Sequence, residues 1–175
     1  VVSFDVRSYR HAGPAIHRGN GISLQVRAAK IDGVDAPSWA ERAFVDLARR
    51  TAPAFGRAGL RDEFWASNMV VDEQGTRAVG VDISRSVPGL YWLTFFGPPY
   101  VALFGEDVLR TAPAPRVEPL DSGFLIGLAD RPERWADESY QQRASSVRIH
   151  LGDRFFWHKA DTDRETVGLP LRDGR

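Results

Sequence analysis

Seven consecutive residues, Leu90-Tyr91-Trp92-Leu93-Thr94-Phe95-Phe96, constrain this chain more than any other stretch. Successive side chains of a strand point to opposite faces. Here both faces are apolar, so the run reads as a central strand covered on each side. Trp92 and Phe95, three apart, are expected on opposite faces, both in the core. Gly97-Pro98-Pro99 ends the run.

The rest of the chain divides into short strands and a few helices. Val2-Ser3-Phe4-Asp5-Val6 and residues 22–28 alternate apolar and polar, which predicts two half-buried strands. Gly13-Pro14 and Gly19-Asn20-Gly21 supply turn signals between them. A helix is predicted over 39–52. Ser38 and Glu41 have capping-box spacing, Ala40, Phe44, Leu47, Ala48 and Thr51 share one face, and Pro53 ends the run. Residues 64–72, a turn at 73–76 and residues 78–83 read as a β-hairpin. After Pro98-Pro99, Tyr100, Val101, Phe104, Val108 and Leu109 recur at helical spacing to about Thr111. A second hairpin is predicted from Arg116 to Leu128 around Asp121-Ser122-Gly123. Residues 131–134 read as a loop before a third helix. In that helix Ser139 and Gln142 have capping-box spacing, Tyr140, Ala144, Val147 and Leu151 form the buried stripe, and Gly152 marks the end. Together these predict one α+β domain over 1–160, a mostly antiparallel sheet packed with about three helices. The charged residues 161–175 are expected to form a loose tail.

Composition narrows function mainly by exclusion. A chain of 175 residues is of one-domain size and buries enough surface to fold without a metal or a staple. It contains no Cys, so disulfides, cysteine-ligated zinc and thiol nucleophiles are excluded. No run of 18 apolar residues is present, so no membrane span is expected. Val1-Val2-Ser3-Phe4-Asp5 lacks the basic-then-apolar plan of a signal peptide, and a cytoplasmic location is the expectation. Twenty-three basic residues cancel 23 acidic ones, whereas a dedicated nucleic-acid binder is basic. The cancellation is uneven: residues 1–62 carry ten basic and six acidic side chains, and 63–175 carry 13 and 17.

The search for catalytic groups assigns no catalytic, cofactor-binding or metal-ligating residue. The four histidines, His11, His17, His150 and His158, lack the close pairing of helical metal ligands. A rival enzyme reading would bring His11 and His17 together with a carboxylate across the first loop. Asp161, Asp163 and Glu165 alternate as in a calcium loop, but Thr166 and Arg172 stand where that loop needs Gly and Glu. Neither a G-x-S-x-G elbow nor a glycine-rich phosphate loop is present. The segment 130–138 stands out instead. Asp130, Glu133, Trp135, Asp137 and Glu138 make an acidic and aromatic patch of the kind that faces a partner, because Trp and Arg concentrate at interface hot spots.

The block from Gly89 through the aromatic run, Gly97-Pro98-Pro99-Tyr100-Val101 and on to Pro113 resembles bacterial polymorphic-toxin immunity proteins of the immunity protein 52 type. Gly19-Asn20-Gly21-Ile22-Ser23-Leu24 and Arg131-Pro132-Glu133-Arg134-Trp135 extend the likeness to roughly residues 20–150. A related type VI secretion immunity family shares the Trp92-Leu93-Thr94 strand followed by a helix. The resemblance implies a non-enzymatic cytoplasmic protein that takes no cofactor and neutralises a cognate toxin, here a nuclease of restriction-endonuclease fold. It would act as a monomer or weak homodimer. The physical mechanism expected of such a protein is occlusion, with Asp130, Glu133, Asp137 and Glu138 set against the nuclease's basic surface; near-zero net charge counts against mimicry of a whole nucleic acid and leaves a local patch or an allosteric block. A third reading is a structural module that self-associates through the strand from Tyr91 to Phe96.

Overall fold

The computed structural model describes residues 2–8, 20–26, 35–73, 75–80, 82, 83 and 85–158. Strands β1 (Val2–Ser8) and β2 (Asn20–Val26) form where alternation predicts strands, and they pair antiparallel with Val2 opposite Val26. Helix α1 (Ala36–Thr51) follows, then β3 (Phe55–Leu60), α2 (Arg61–Asn68), β4 (Met69–Asp72) and β5 (Gly75–Ala78). Next come β6 (Leu93–Phe96), α3 (Pro98–Phe104), α4 (Glu106–Arg110), β7 (Arg116–Leu120) and β8 (Gly123–Gly127). A 3-10 turn (Pro132–Ala136) leads into α5 (Glu138–Leu151), and a second spans Asp153–Phe155.

Six strands form one sheet in the order β2-β1-β3-β6-β8-β7, every pairing antiparallel, while β4 and β5 make a separate hairpin. The α+β class and the antiparallel sheet therefore stand as predicted, and against the expected three or so helices the described residues form five. Strand β6 is central, and all four of its residues are buried. On one face α1 lays Ala40, Phe44 and Ala48 over Ala58, Leu93, Phe95 and Leu125. On the other, Phe55, Phe96, Phe124 and Ile126 meet Tyr100, Phe104, Leu109, Tyr140, Val147 and Leu151 from α3, α4 and α5. Rings there contact in tilted and edge-on pairs, as between Phe96 and Tyr100 at 5.5 Å.

Several local expectations are corrected. Residues 64–68 are helical, because α2 starts at Arg61 with Asp62 and Glu63 in its first turn; the aromatic pair Phe64-Trp65 suggests strand only when read alone. Strand β3 goes unpredicted because Gly56 and Gly59 dilute its pattern, yet Gly56 lets the Phe44 ring approach closely. The aromatic strand begins only at Leu93, so Trp92 escapes the alternation and lies with Phe95 on the α1 side; both are core as expected. The helix predicted through Thr111 breaks at Gly105, whose φ of 85° suits glycine alone. Neither capping box forms. Asp35 and Asp137 occupy the N-cap positions of α1 and α5 without side-chain bonds to the helix N–H groups, and Asp35 instead receives the Ser38 hydroxyl. The 116–128 hairpin and the Gly152 stop stand as predicted. His11, His17 and residues 161–175 lie outside the described residues.

Candidate partner-binding turn

The acidic segment 130–138 is a surface turn held by two attachments to the interior. At its start, the Trp92 indole donates to the Ala129 carbonyl at 3.1 Å, and Leu128 N–H donates to the Trp92 carbonyl at 3.0 Å. Within it, Pro132 is buried and fits the first position of the 3-10 turn, where no donor is required. Trp135 is half-buried against the core on the α5 side, and its carbonyl accepts from Gln141 Nε2 at 2.6 Å. At its end, Asp137 opens α5 by accepting from the backbone of Tyr140 and Gln141.

The second attachment is Tyr140. Its hydroxyl donates to Oε1 of Glu63, a carboxyl only 2% exposed. The same Oε1 accepts the Trp92 N–H at 3.1 Å. The reason is topological. Pairing between β3 and β6 ends at Ala58 opposite Leu93, and Gly59 and Leu60 continue with β1 alone. The Glu63 carboxyl sits where the two strands part and takes the Trp92 donor. Gly59 is essential to this placement, because a β-carbon there would lie 2.1 Å from Glu63 Oε2. Oε2 itself, fully buried, has no hydrogen-bond partner.

Burial pushes the Glu63 carboxyl up to about 8, against the opposing pull of the Tyr140 hydroxyl, the Trp92 N–H and the Arg57 charge. Tyr140 is raised too, by burial and then by the Glu63 charge. A polar web continues outward: Tyr91 donates to Asn68 Oδ1 at 2.6 Å, and Asn68 donates to the Val79 and Pro88 carbonyls. Sequence reasoning misses Glu63 because Arg61-Asp62-Glu63 reads as a solvated charge run, and nothing in it marks the third residue as interior.

The charges of the turn fall into two sets. Arg134 pairs with Asp137 at 2.8 Å and with Asp130 at 3.8 Å, so those two acids are partly neutralised. Arg131 reaches Asp35 at 3.4 Å, and the Ser38 hydroxyl bond followed by Arg131 holds that carboxyl below its ordinary value. Glu133 and Glu138 are exposed, and among the described residues neither forms an ion pair. Glu138 accepts only from Gln142 Nε2, at 2.9 Å. The five sequence-selected residues thus lie along one turn and the helix start after it, with Glu133 and Glu138 as exposed carboxylates without an ion pair among the described residues and Trp135 as a half-covered ring.

No family model, curated protein or solved structure matches this chain. Among the described residues no group of three or more metal-ligating side chains converges, and no helix is long and apolar enough to cross a membrane. His150, on α5, contacts the Val108 carbonyl at 2.8 Å, and His158 lies 3.0 Å from Asp153 and 2.7 Å from Arg148 of α5, so each is engaged in holding α5 to its neighbours. Residues 91–96 are all interior, which removes the surface that self-association through the aromatic strand would need.

Proposed function

We propose that this chain is a non-enzymatic immunity protein that binds a cognate bacterial toxin, a nuclease in the preferred reading, and covers its substrate-binding surface. The observation that carries the reading is the acidic turn itself: exposed Glu133 and Glu138 and the half-covered Trp135, fixed to the interior through Tyr140 and Trp92. A rigid surface with desolvable aromatic area and unneutralised carboxylates suits a basic, nucleic-acid-binding partner, because little side-chain order is lost on docking. Zero net charge favours this local patch over mimicry of a whole nucleic-acid surface. Cytoplasmic action and a type VI or other contact-dependent delivery route belong to the same proposal.

The test is to produce the polypeptide encoded by the adjoining gene in a host with and without this chain. Growth arrest relieved by this chain alone, together with a recoverable complex, is the expected result. Absence of toxicity or of a complex overturns the reading.

A further inference from the structure

We propose that Glu63 is a proton-operated pin: with its carboxyl neutral it fastens Tyr140, and through it the first turn of α5 and the acidic turn, to the sheet, and on losing its proton it lets that segment loosen. The geometry is one-sided. The Trp92 N–H and the Tyr140 hydroxyl both hydrogen-bond Oε1, the Leu60 N–H adds the weakest pull on the carboxyl, and Oε2, lying against Gly59, has no hydrogen-bond partner of its own. A neutral carboxyl tolerates that arrangement at the cost of one unpaired O–H. An ionised one keeps a charged oxygen buried without a hydrogen bond, which is far costlier, and it gains by opening to water.

The other groups around it act from every packed element. From β3, Arg57 lies with its guanidinium 3.9 Å from the Phe64 ring and 5.1 Å from the Tyr91 ring. From α5 come Tyr140 and Arg143, whose charge acts on Tyr140. From the segment before β6 comes Tyr91, and on α2 itself Asp62 is exposed beside it. Arg57 favours the ionised form, and burial outweighs it. With a midpoint near 8, one pH unit to either side takes the carboxyl from about nine-tenths neutral to about nine-tenths ionised. The part released is the part that presents Trp135, Glu133 and Glu138, so its order becomes a function of pH near neutrality.

The pin requires no partner, and its test uses the isolated chain. Amide hydrogen exchange is measured from pH 6.5 to 9.5 and expressed as protection factors, which remove the intrinsic pH dependence of exchange. Peptides covering 129–141 are compared with those of α1 in wild type, Glu63→Gln and Tyr140→Phe. In wild type, protection over 129–141 is expected to fall at least about tenfold between pH 7 and 9, while α1 amides that exchange by local opening, with Glu63 still buried, are unchanged. Glu63→Gln is expected to remove the step, and Tyr140→Phe to lower protection already at pH 7. Protection independent of pH in wild type, or an equal step in Glu63→Gln, overturns the proposal. If Glu63→Gln fails to fold, the wild-type carboxyl is followed by its side-chain 13C resonance: titration near 8 in step with the 129–141 amides supports the pin, and titration in the ordinary carboxylate range overturns it.

Discussion

An interior carboxyl that holds its proton to about pH 8 when folded, but releases it near 4.5 when unfolded, gives stability a definite pH slope. Between those values the folded state binds more protons. Glu63 therefore imposes no charge penalty below about 4.5, and stability declines as pH rises toward 8, by up to about 1.4 kcal/mol per pH unit. Denaturant titrations at pH 6 and 8 are expected to show that decline in wild type and its absence in Glu63→Gln. Truncation to Ala leaves the Tyr140 hydroxyl and Trp92 N–H unpaired in the interior, and is expected to cost roughly 2–4 kcal/mol at pH 6. Gly59→Ala sets a methyl against Glu63 Oε2 and is expected to cost roughly 1–3 kcal/mol in wild type. In the Glu63→Ala background the same change is expected to cost much less, and a double-mutant cycle reads the coupling. None of this is legible in the sequence, where Glu63 is one acid in a charged run and Gly59 one of 16 glycines.

Among the elements, those with a strong period were readable. The α1 stripe of Ala40, Phe44 and Ala48 sits buried as its spacing required, and the β7–β8 hairpin keeps its turn at Asp121-Ser122. What failed was local preference overridden by packing. Phe64 and Trp65 favour a strand in isolation, yet α2 places Phe64 beneath Arg57 and turns Glu63 inward. The α3–α4 pair follows the helical period on both sides, and the break is set by a single backbone conformation. Gly105→Ala at φ 85° is expected to cost roughly 1–3 kcal/mol although open space surrounds the site, with thermal unfolding reporting a fall of several degrees. The acidic turn was legible as a patch because its residues are contiguous. Which of its carboxylates are neutralised was not, because Arg134 is shared between Asp130 and Asp137 only once the 3-10 turn brings them together. Arg134→Ala is expected to leave Trp135 in place and to speed association with a cationic partner, measured as a larger salt dependence of the association rate.

For the molecule as a whole, charges cancel in number while the acidic turn concentrates negative charge in one place, and a core on each face of the sheet holds the surface around it. Under the proposed function, recognition depends on this one patch and on the interior that fixes it. Removing its two unneutralised carboxylates should therefore abolish function without unfolding the protein. The most direct measurement is growth of cells producing the adjoining gene's polypeptide together with wild type or with a Glu133→Lys, Glu138→Lys variant whose unfolding curve matches wild type. The expected result is protection by wild type and loss of protection by the variant, with affinity for the isolated toxin reduced at least about tenfold. Full protection by the folded variant would contradict the assignment of this turn as the binding surface.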